Sequence, residues 1–249
     1  MAVRPIPFSD PMSSALREGR KTQTRRALVL RGHASFSEFG PSNTAGYECH
    51  FRDAEQRWHD LTHDELFSRL PYAVGDRLYV RETYYQCGHW EPIAGAKTKG
   101  GKQKWGFVAD APYVKFDMFE PYLKAMDRVD PTTPAWHKRL GRFMPRAASR
   151  MTLIVTDVRV QRLHEISVDD AVAEGIEDVT REIACRDPSA RFWKRYRDGG
   201  WNGYVDDPIG SYASLWTEIN GAGSWEANPW VTAISFTVHH CNISKMEHP

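Results

Sequence analysis

The segment MTLIVTDVRVQRL, Met151 to Leu163, limits most strongly what this chain can fold into. Its β-branched residues, and the alternation of its second half, predict a strand. Ser167-Val-Asp-Asp170 follows almost at once and opens a helix whose apolar positions are Ala171, Val172 and Ile176, with Gly175 near its end. Trp230 to Val238 (WVTAISFTV) predicts a terminal strand and Arg77 to Tyr85 another. Tyr212, Leu215, Trp216 and Ile219 keep helical spacing, closed by Asn220-Gly221. Ser9-Asp10-Pro11 starts a short helix with Met12, Ala15 and Leu16 on one face and Gly19 as its stop. These elements mix without a regular βαβ beat, which predicts α+β with a mostly antiparallel sheet or small barrel.

Between them, residues 28–70 lack one sustained period and read as an insertion with a helix around Asp64 to Leu70; 178–210, polar and aromatic, reads as a second elaboration. Gly88 to Lys104 reads as a mobile loop and Trp105 to Ala109 as a short strand. No repeat and no linker interrupts the chain, so residues 1–249 are expected to form one domain with two insertions.

The chain has 249 residues, 41% hydrophobic and 26% charged, with a net charge of +1, which suits a globular fold and excludes a global nucleic-acid-binding charge. Charge is nevertheless segregated: His137 to Arg150 carries Lys138, Arg139, Arg142, Arg146 and Arg150 with no acid, and Arg17 to Arg31 is also basic. The four cysteines, Cys49, Cys87, Cys185 and Cys241, form no CxxC pair and no disulfide scaffold, so a reducing cytoplasm is expected. No leader-like apolar run and no membrane span of roughly 18 apolar residues is present.

The stretch EGRKTQTRR, Glu18 to Arg26, sets Lys21 and Thr24 among Arg20, Arg25 and Arg26. In a strict strand Lys21 and Thr24 would point to opposite faces. Directly after a helix, a turn through Lys21 and Thr22 could return the ammonium to the Thr24 hydroxyl. Threonine needs a base to act as a nucleophile, and lysine serves when burial or neighbouring cations lower its pKa. The competing explanation is a structural turn or phosphate patch. Metal chemistry has little support, because His59 with His63, Cys87 with His89, and His239-His240-Cys241 match no ligand spacing. A phosphate loop and a GxSxG elbow are both missing.

PIPFSDPMSSALREGRKTQTRR, YAVGDRLYVRETY, FMPRAASRMTLIVTDVRVQRL, ISVDDAVAEGI and SLWTEINGAGSWEANPWVTAISF together resemble ASCH-domain proteins of the PUA-like superfamily, in particular the bacterial N4-acetylcytidine amidohydrolases and longer phage-related ASCH proteins. The resemblance fades in the two insertions. It implies a small β-barrel flanked by helices, with a cleft for nucleosides or nucleic acid. It also implies a metal- and cofactor-independent amidohydrolase that deacylates N4-acylated cytosine nucleosides. By the GRKTxTxR match its catalytic residues are Lys21 and Thr24. Glu174 in DDAVAEG supplies the carboxylate, with Glu177 and Glu165 as fallbacks.

Two schemes follow. Thr24 attacks the acyl carbon with Lys21 as base, or Glu174 activates water while Lys21 stabilises the oxyanion. A carboxylate beside Lys21 would raise its pKa and oppose the first scheme. Arg26 is a further candidate for the oxyanion. Arg81 and Glu82 could bind pyrimidine or ribose, unless they form a cross-strand ion pair. Tyr84, Tyr85 and Trp230 could stack on a base, although core packing explains most aromatic residues in a chain with nine tryptophans. Arg146 and Arg150 are candidates for phosphate. The alternatives are a non-catalytic RNA-binding module using the basic patches and, further off, a ribonuclease.

Overall fold

Our computed structural model of the protein describes residues 2–33, 35–117, 120–127, 129–183, 187, 189–197 and 203–246. Along the chain run β1 (Val3–Pro7), α1 (Asp10–Arg17), β2 (Gln23–Ala27), β3 (Phe36–Pro41), β4 (Cys49–Asp53), β5 (Trp58–Leu61) and α2 (His63–Arg69). There follow β6 (Arg77–Arg81), β7 (Tyr84–Lys97), β8 (Gln103–Ala109), β9 (Ala135–Arg139), β10 (Thr152–Arg162) and α3 (Val168–Ala173). The last elements are β11 (Trp193–Lys194), β12 (Tyr204–Val205), α4 (Pro208–Asn220), β13 (Trp230–His239) and α5 (Ile243–Met246). The class is α+β, rich in sheet, and none of the sheets among the described residues closes into a barrel.

Packing divides the chain into two units. The first holds Met1–Val3, Ser14–Arg77 and Leu153–His239. In it β10, β13 and β2 are neighbours in that order. β13 pairs antiparallel with β2, so that Ile234 faces Thr24 and Thr232 faces Arg26. Buried Leu153, Val155, Val231 and Ile234 supply the apolar interior of these strands. Residues 28–70, expected as an insertion, are structured: β3, β4 and β5 form an antiparallel sheet in that order, followed by α2. A capping box starts α2, because Thr62 accepts from the Glu65 N–H while the Glu65 carboxylate accepts from the Thr62 N–H. Asp207 caps α4, Pro208 occupies its first turn, and Gly221 closes it.

The second unit holds Arg4–Ser13, Leu78–Thr152 and His240–Pro249. There β1 lies beside β6, and β8, β7 and β9 form a three-stranded antiparallel sheet. The segment Gly88 to Lys104, expected as a mobile loop, is mostly strand. Trp90 is paired with Phe107 and Pro92 with Trp105, and these cross-strand aromatic contacts outweigh its glycine-rich composition. In the second elaboration, 178–210, the two-residue strands β11 and β12 pair with each other. Residues 184–186, 188 and 198–202 of that elaboration, Cys185 among them, lie outside the described residues. Among the described residues no helix is long and apolar enough to cross a membrane.

Candidate functional site

The chain leaves α1 through Gly19 and turns into β2, and the turn is fixed from both sides. The N–H groups of Arg20 and Lys21 both donate to the Ala15 carbonyl, at 2.9 and 3.1 Å. The Thr22 N–H donates to Ala173 O at 2.9 Å, which ties the start of β2 to the end of α3. Ser167 caps α3 by accepting from the Asp170 N–H, and Glu174 closes the helix. Gly175 follows with φ +85°, and a Cβ there would lie 2.7 Å from Lys21 Cβ and 3.0 Å from Ala15 Cβ. Only glycine lets the helix end come this close to Lys21. Arg20 Nη1 donates to Gly175 O at 2.8 Å and holds the same turn.

Lys21 and Glu174, 153 residues apart in sequence, therefore meet. Lys21 Nζ donates to Glu174 Oε2 at 2.8 Å and to Glu174 O at 2.7 Å. The two side chains are only 2% and 3% exposed, so this is a buried ion pair that also satisfies a helix C-terminal carbonyl. Burial pulls the Lys21 ammonium below the usual lysine range; Glu174 opposes that shift, while Arg26 and Arg25 add to it. Desolvation is the largest influence, and the net direction is downward despite the adjacent carboxylate.

β2 alternates, so Gln23 and Arg25 share a face directed at α3. Arg25 is fully buried; it donates to Asp170 Oδ2 at 2.7 Å, to Glu174 Oε1 at 3.3 Å, and to the Gln23 side-chain oxygen. Gln23 Nε2 donates to Asp170 Oδ1 at 3.0 Å and Ser235 Oγ at 3.2 Å. Arg159, on β10, donates to Asp170 Oδ1 at 3.0 Å. Lys21, Glu174, Arg25, Asp170 and Arg159 thus form a chain of alternating charge. Sequence reasoning named Lys21 and Glu174 and passed over Asp170 and Arg159. Asp170 and Glu174 stand four residues apart in a helical segment, hence on one face, and that spacing was a legible signal.

Burial works against the ionised Asp170 carboxyl, but hydrogen bonds from Arg159 and Gln23 and the Arg25 charge hold its pKa at about 2, below the ordinary 3.8. Its contribution to stability is accordingly complete above about pH 4 and disappears as the pH falls through about 2, a difference of about 2 kcal/mol. Asp170→Asn is expected to flatten the acid limb of a stability-versus-pH curve in that window, measured by urea unfolding.

Thr24 does not join this network. It is buried on the opposite face of β2, beside Ile234, and its side chain makes no hydrogen bond among the described residues. The Lys21 ammonium instead donates to Glu174, while Thr24, one position along β2 from Gln23, takes the strand face opposite to Gln23 and Arg25. Arg26 shares Thr24's face and is half-buried. Glu177 is paired with Lys194 at 2.7 Å, and Glu165 accepts from the Arg162 N–H at 3.0 Å, so Glu174 is the carboxylate at Lys21.

Trp230 stands at the start of β13, packed edge-on against Phe39 at 5.0 Å with the Arg162 guanidinium 4.7 Å from its ring centre. It lines two cavities of the first unit, of about 690 and 490 Å³, and its buried indole N–H has no hydrogen-bond partner among the described residues. Neither cavity is lined by Lys21, Thr24 or Glu174.

Arg81, Glu82 and Tyr84 belong to the second unit. Arg81 donates to Arg142 O at 3.1 Å and to the Tyr79 hydroxyl at 3.2 Å. Glu82 is buried and takes a bidentate pair of bonds from Arg150 at 2.8 and 2.9 Å, so Arg150 has a carboxylate partner within its own unit. Tyr84 is 1% exposed and its hydroxyl donates to Phe143 O; Tyr85 is buried too. Of the histidines singled out in the sequence, three bond to carboxylates: His59 to Asp53 at 2.7 Å, His63 to Glu48 at 2.7 Å and His89 to Asp110 at 2.8 Å; His239 lies 3.3 Å from the Thr237 hydroxyl. Among the described residues no three His, Cys, Asp or Glu side chains gather as a metal site. Comparison with known proteins found no matching family model, no matching curated protein and no matching solved structure.

Proposed function

We propose that the chain is a metal-independent amidohydrolase of ASCH type that removes the acyl group from N4-acylated cytosine nucleosides. The observation that supports it is the buried Lys21–Glu174 pair, with the lysine drawn below its usual pKa range. A carboxylate and a low-pKa ammonium at hydrogen-bond distance are the base and acid that amide hydrolysis needs. Glu174 takes a proton from water as the hydroxyl adds to the acyl carbon. Lys21 gives a proton to the departing N4 nitrogen. The C–N bond breaks and leaves a carboxylic acid and the free cytosine amine, with the proton balance restored when Lys21 recovers the proton held by Glu174. This scheme uses the contact that is present and needs no bond between Lys21 and Thr24.

N4-acetylcytidine incubated with the purified protein and a chelator is expected to yield cytidine. Lys21→Ala and Glu174→Gln each lose about 10²–10⁴-fold in kcat, as removal of a general acid or base does. Thr24→Ala keeps activity to within about tenfold in this scheme, whereas an acyl-threonine route would lose it entirely. No cytidine from the unaltered protein would overturn the reading. If the same protein instead retained RNA in a steeply salt-dependent way and left the nucleoside intact, a binding module would be the better description. The PUA-like character of the fold and the cytoplasmic setting belong to this proposal as well.

A further inference from the structure

The second unit carries a cationic cavity that the hydrolase reading does not use. β9 pairs with β7, and by strand alternation its residues His137 and Arg139 share one face. The Arg139 guanidinium carbon lies 4.0 Å from the centre of the Phe107 ring, 5.1 Å from Phe143 and 5.3 Å from Trp90. Aromatic rings attract a cation through their π faces and occupy none of its N–H groups. The Arg139 side chain forms no hydrogen bond and no ion pair among the described residues, and its Nε is buried without a partner there. The indole N–H of Trp90 is likewise buried and unpartnered.

Trp90 and Arg139 both line a cavity of about 200 Å³, together with exposed Lys124. No aspartate or glutamate is among its lining residues. Lys138 also borders it, but its ammonium lies 3.3 Å from Asp10 and is already paired. Burial, reinforced by Arg139, lowers the pKa of His137, which keeps that ring neutral near neutral pH. The arrangement is thus a fixed arginine with unused donors, a buried indole N–H beside it, an exposed lysine at the rim, and no carboxylate among the lining residues. A buried N–H demands an acceptor, and an indole donor beside a guanidinium whose Nε–H is also unpartnered selects an anionic oxygen acceptor.

We propose that this cavity binds a phosphate group, with Arg139 and the Trp90 indole N–H donating to its oxygens and Lys124 adding charge. The basic run His137 to Arg150 then divides by role: Arg150 is committed to Glu82, and Arg139 is the phosphate ligand. The phosphate could be free or terminal, or part of a nucleic-acid backbone; the chemistry is shared and the probes separate the sources.

The full-length protein, with ¹⁵N-labelled tryptophan, is titrated with inorganic phosphate and separately with a short oligouridylate lacking terminal phosphates. The Trp90 indole N–H signal, assigned by Trp90→Phe, is expected to move saturably with at least one probe, with affinity in the millimolar range or tighter for phosphate. Arg139→Gln should weaken that binding at least about tenfold. Response to inorganic phosphate supports a free or terminal phosphate, and response to the oligonucleotide alone supports a backbone phosphodiester. Should Arg139→Gln fail to fold, exposed Lys124→Ala should still weaken binding about threefold with unchanged thermal stability. The proposal is overturned if neither probe moves the Trp90 signal, or if binding is unaffected by the Arg139 and Lys124 changes.

Discussion

Glu174→Gln is expected to lower the stability of this protein by about 3–5 kcal/mol, because removing one partner of a buried ion pair leaves the other charge uncompensated. Here that charge is doubled. Lys21 Nζ lies 2.8 Å from one carboxylate oxygen and Arg25 Nη1 lies 3.3 Å from the other, with both cationic side chains 2% exposed or less. The amide keeps a similar shape and one acceptor oxygen, so the loss is electrostatic rather than a packing effect. Urea unfolding of the two proteins measures it directly. The double change Lys21→Met, Glu174→Leu should recover most of the lost stability, since apolar isosteres commonly replace buried pairs at little cost. A loss under about 1 kcal/mol for Glu174→Gln would show that the pair is hydrated in solution. The double variant has no acid or base left and should be stable but inactive, which separates folding from chemistry.

Gly175→Ala should be nearly as damaging for a different reason. The left-handed backbone, φ +85°, costs an alanine about 1–2 kcal/mol. The new Cβ would meet Lys21 Cβ at 2.7 Å and Ala15 Cβ at 3.0 Å, adding about 1–3 kcal/mol of overpacking. Gly19→Ala is the control, because that helix-stop residue has φ +73° but nothing within 4 Å of a built Cβ, leaving the backbone cost alone. The difference between the two variants in urea unfolding isolates the contact with Lys21. Equal losses would mean that α3 retreats from β2 without resistance. The same displacement should lower activity on N4-acetylcytidine, since the carboxylate leaves its position at Lys21 before any catalytic side chain is changed.

Several elements were legible because their signals are local. Met151 to Leu163 appears as β10, Thr152–Arg162, and its β-branched alternation needs no distant partner to be read. Caps and stops located α3, α4 and the end of α1, since an N-cap side chain and a left-handed glycine act within a few residues. The hairpin of β7 and β8 escaped notice, because glycine and lysine between residues 94 and 104 resemble a loop. What makes them strand is pairing of Trp90 with Phe107, seventeen positions along the chain. The sheet of β3, β4 and β5 was missed similarly: its pairs, such as Phe51 with His59 and Phe39 with Phe51, lie across a turn rather than in a period.

The amino-acid sequence by itself determined the α+β class, the placement of the long strands and main helices, and which lysine and carboxylates deserved attention. Only the tertiary structure decided that Lys21 and Glu174 touch, that Thr24 takes the face of β2 opposite Gln23 and Arg25, that Arg25 and Asp170 complete a buried charge chain, and that Arg139 has no carboxylate partner among the described residues. Propensities and caps are short-range and can be read along the chain. Charge pairing and burial depend on which strands become neighbours and which face each side chain takes, and a shift of one residue in a strand reverses every such contact.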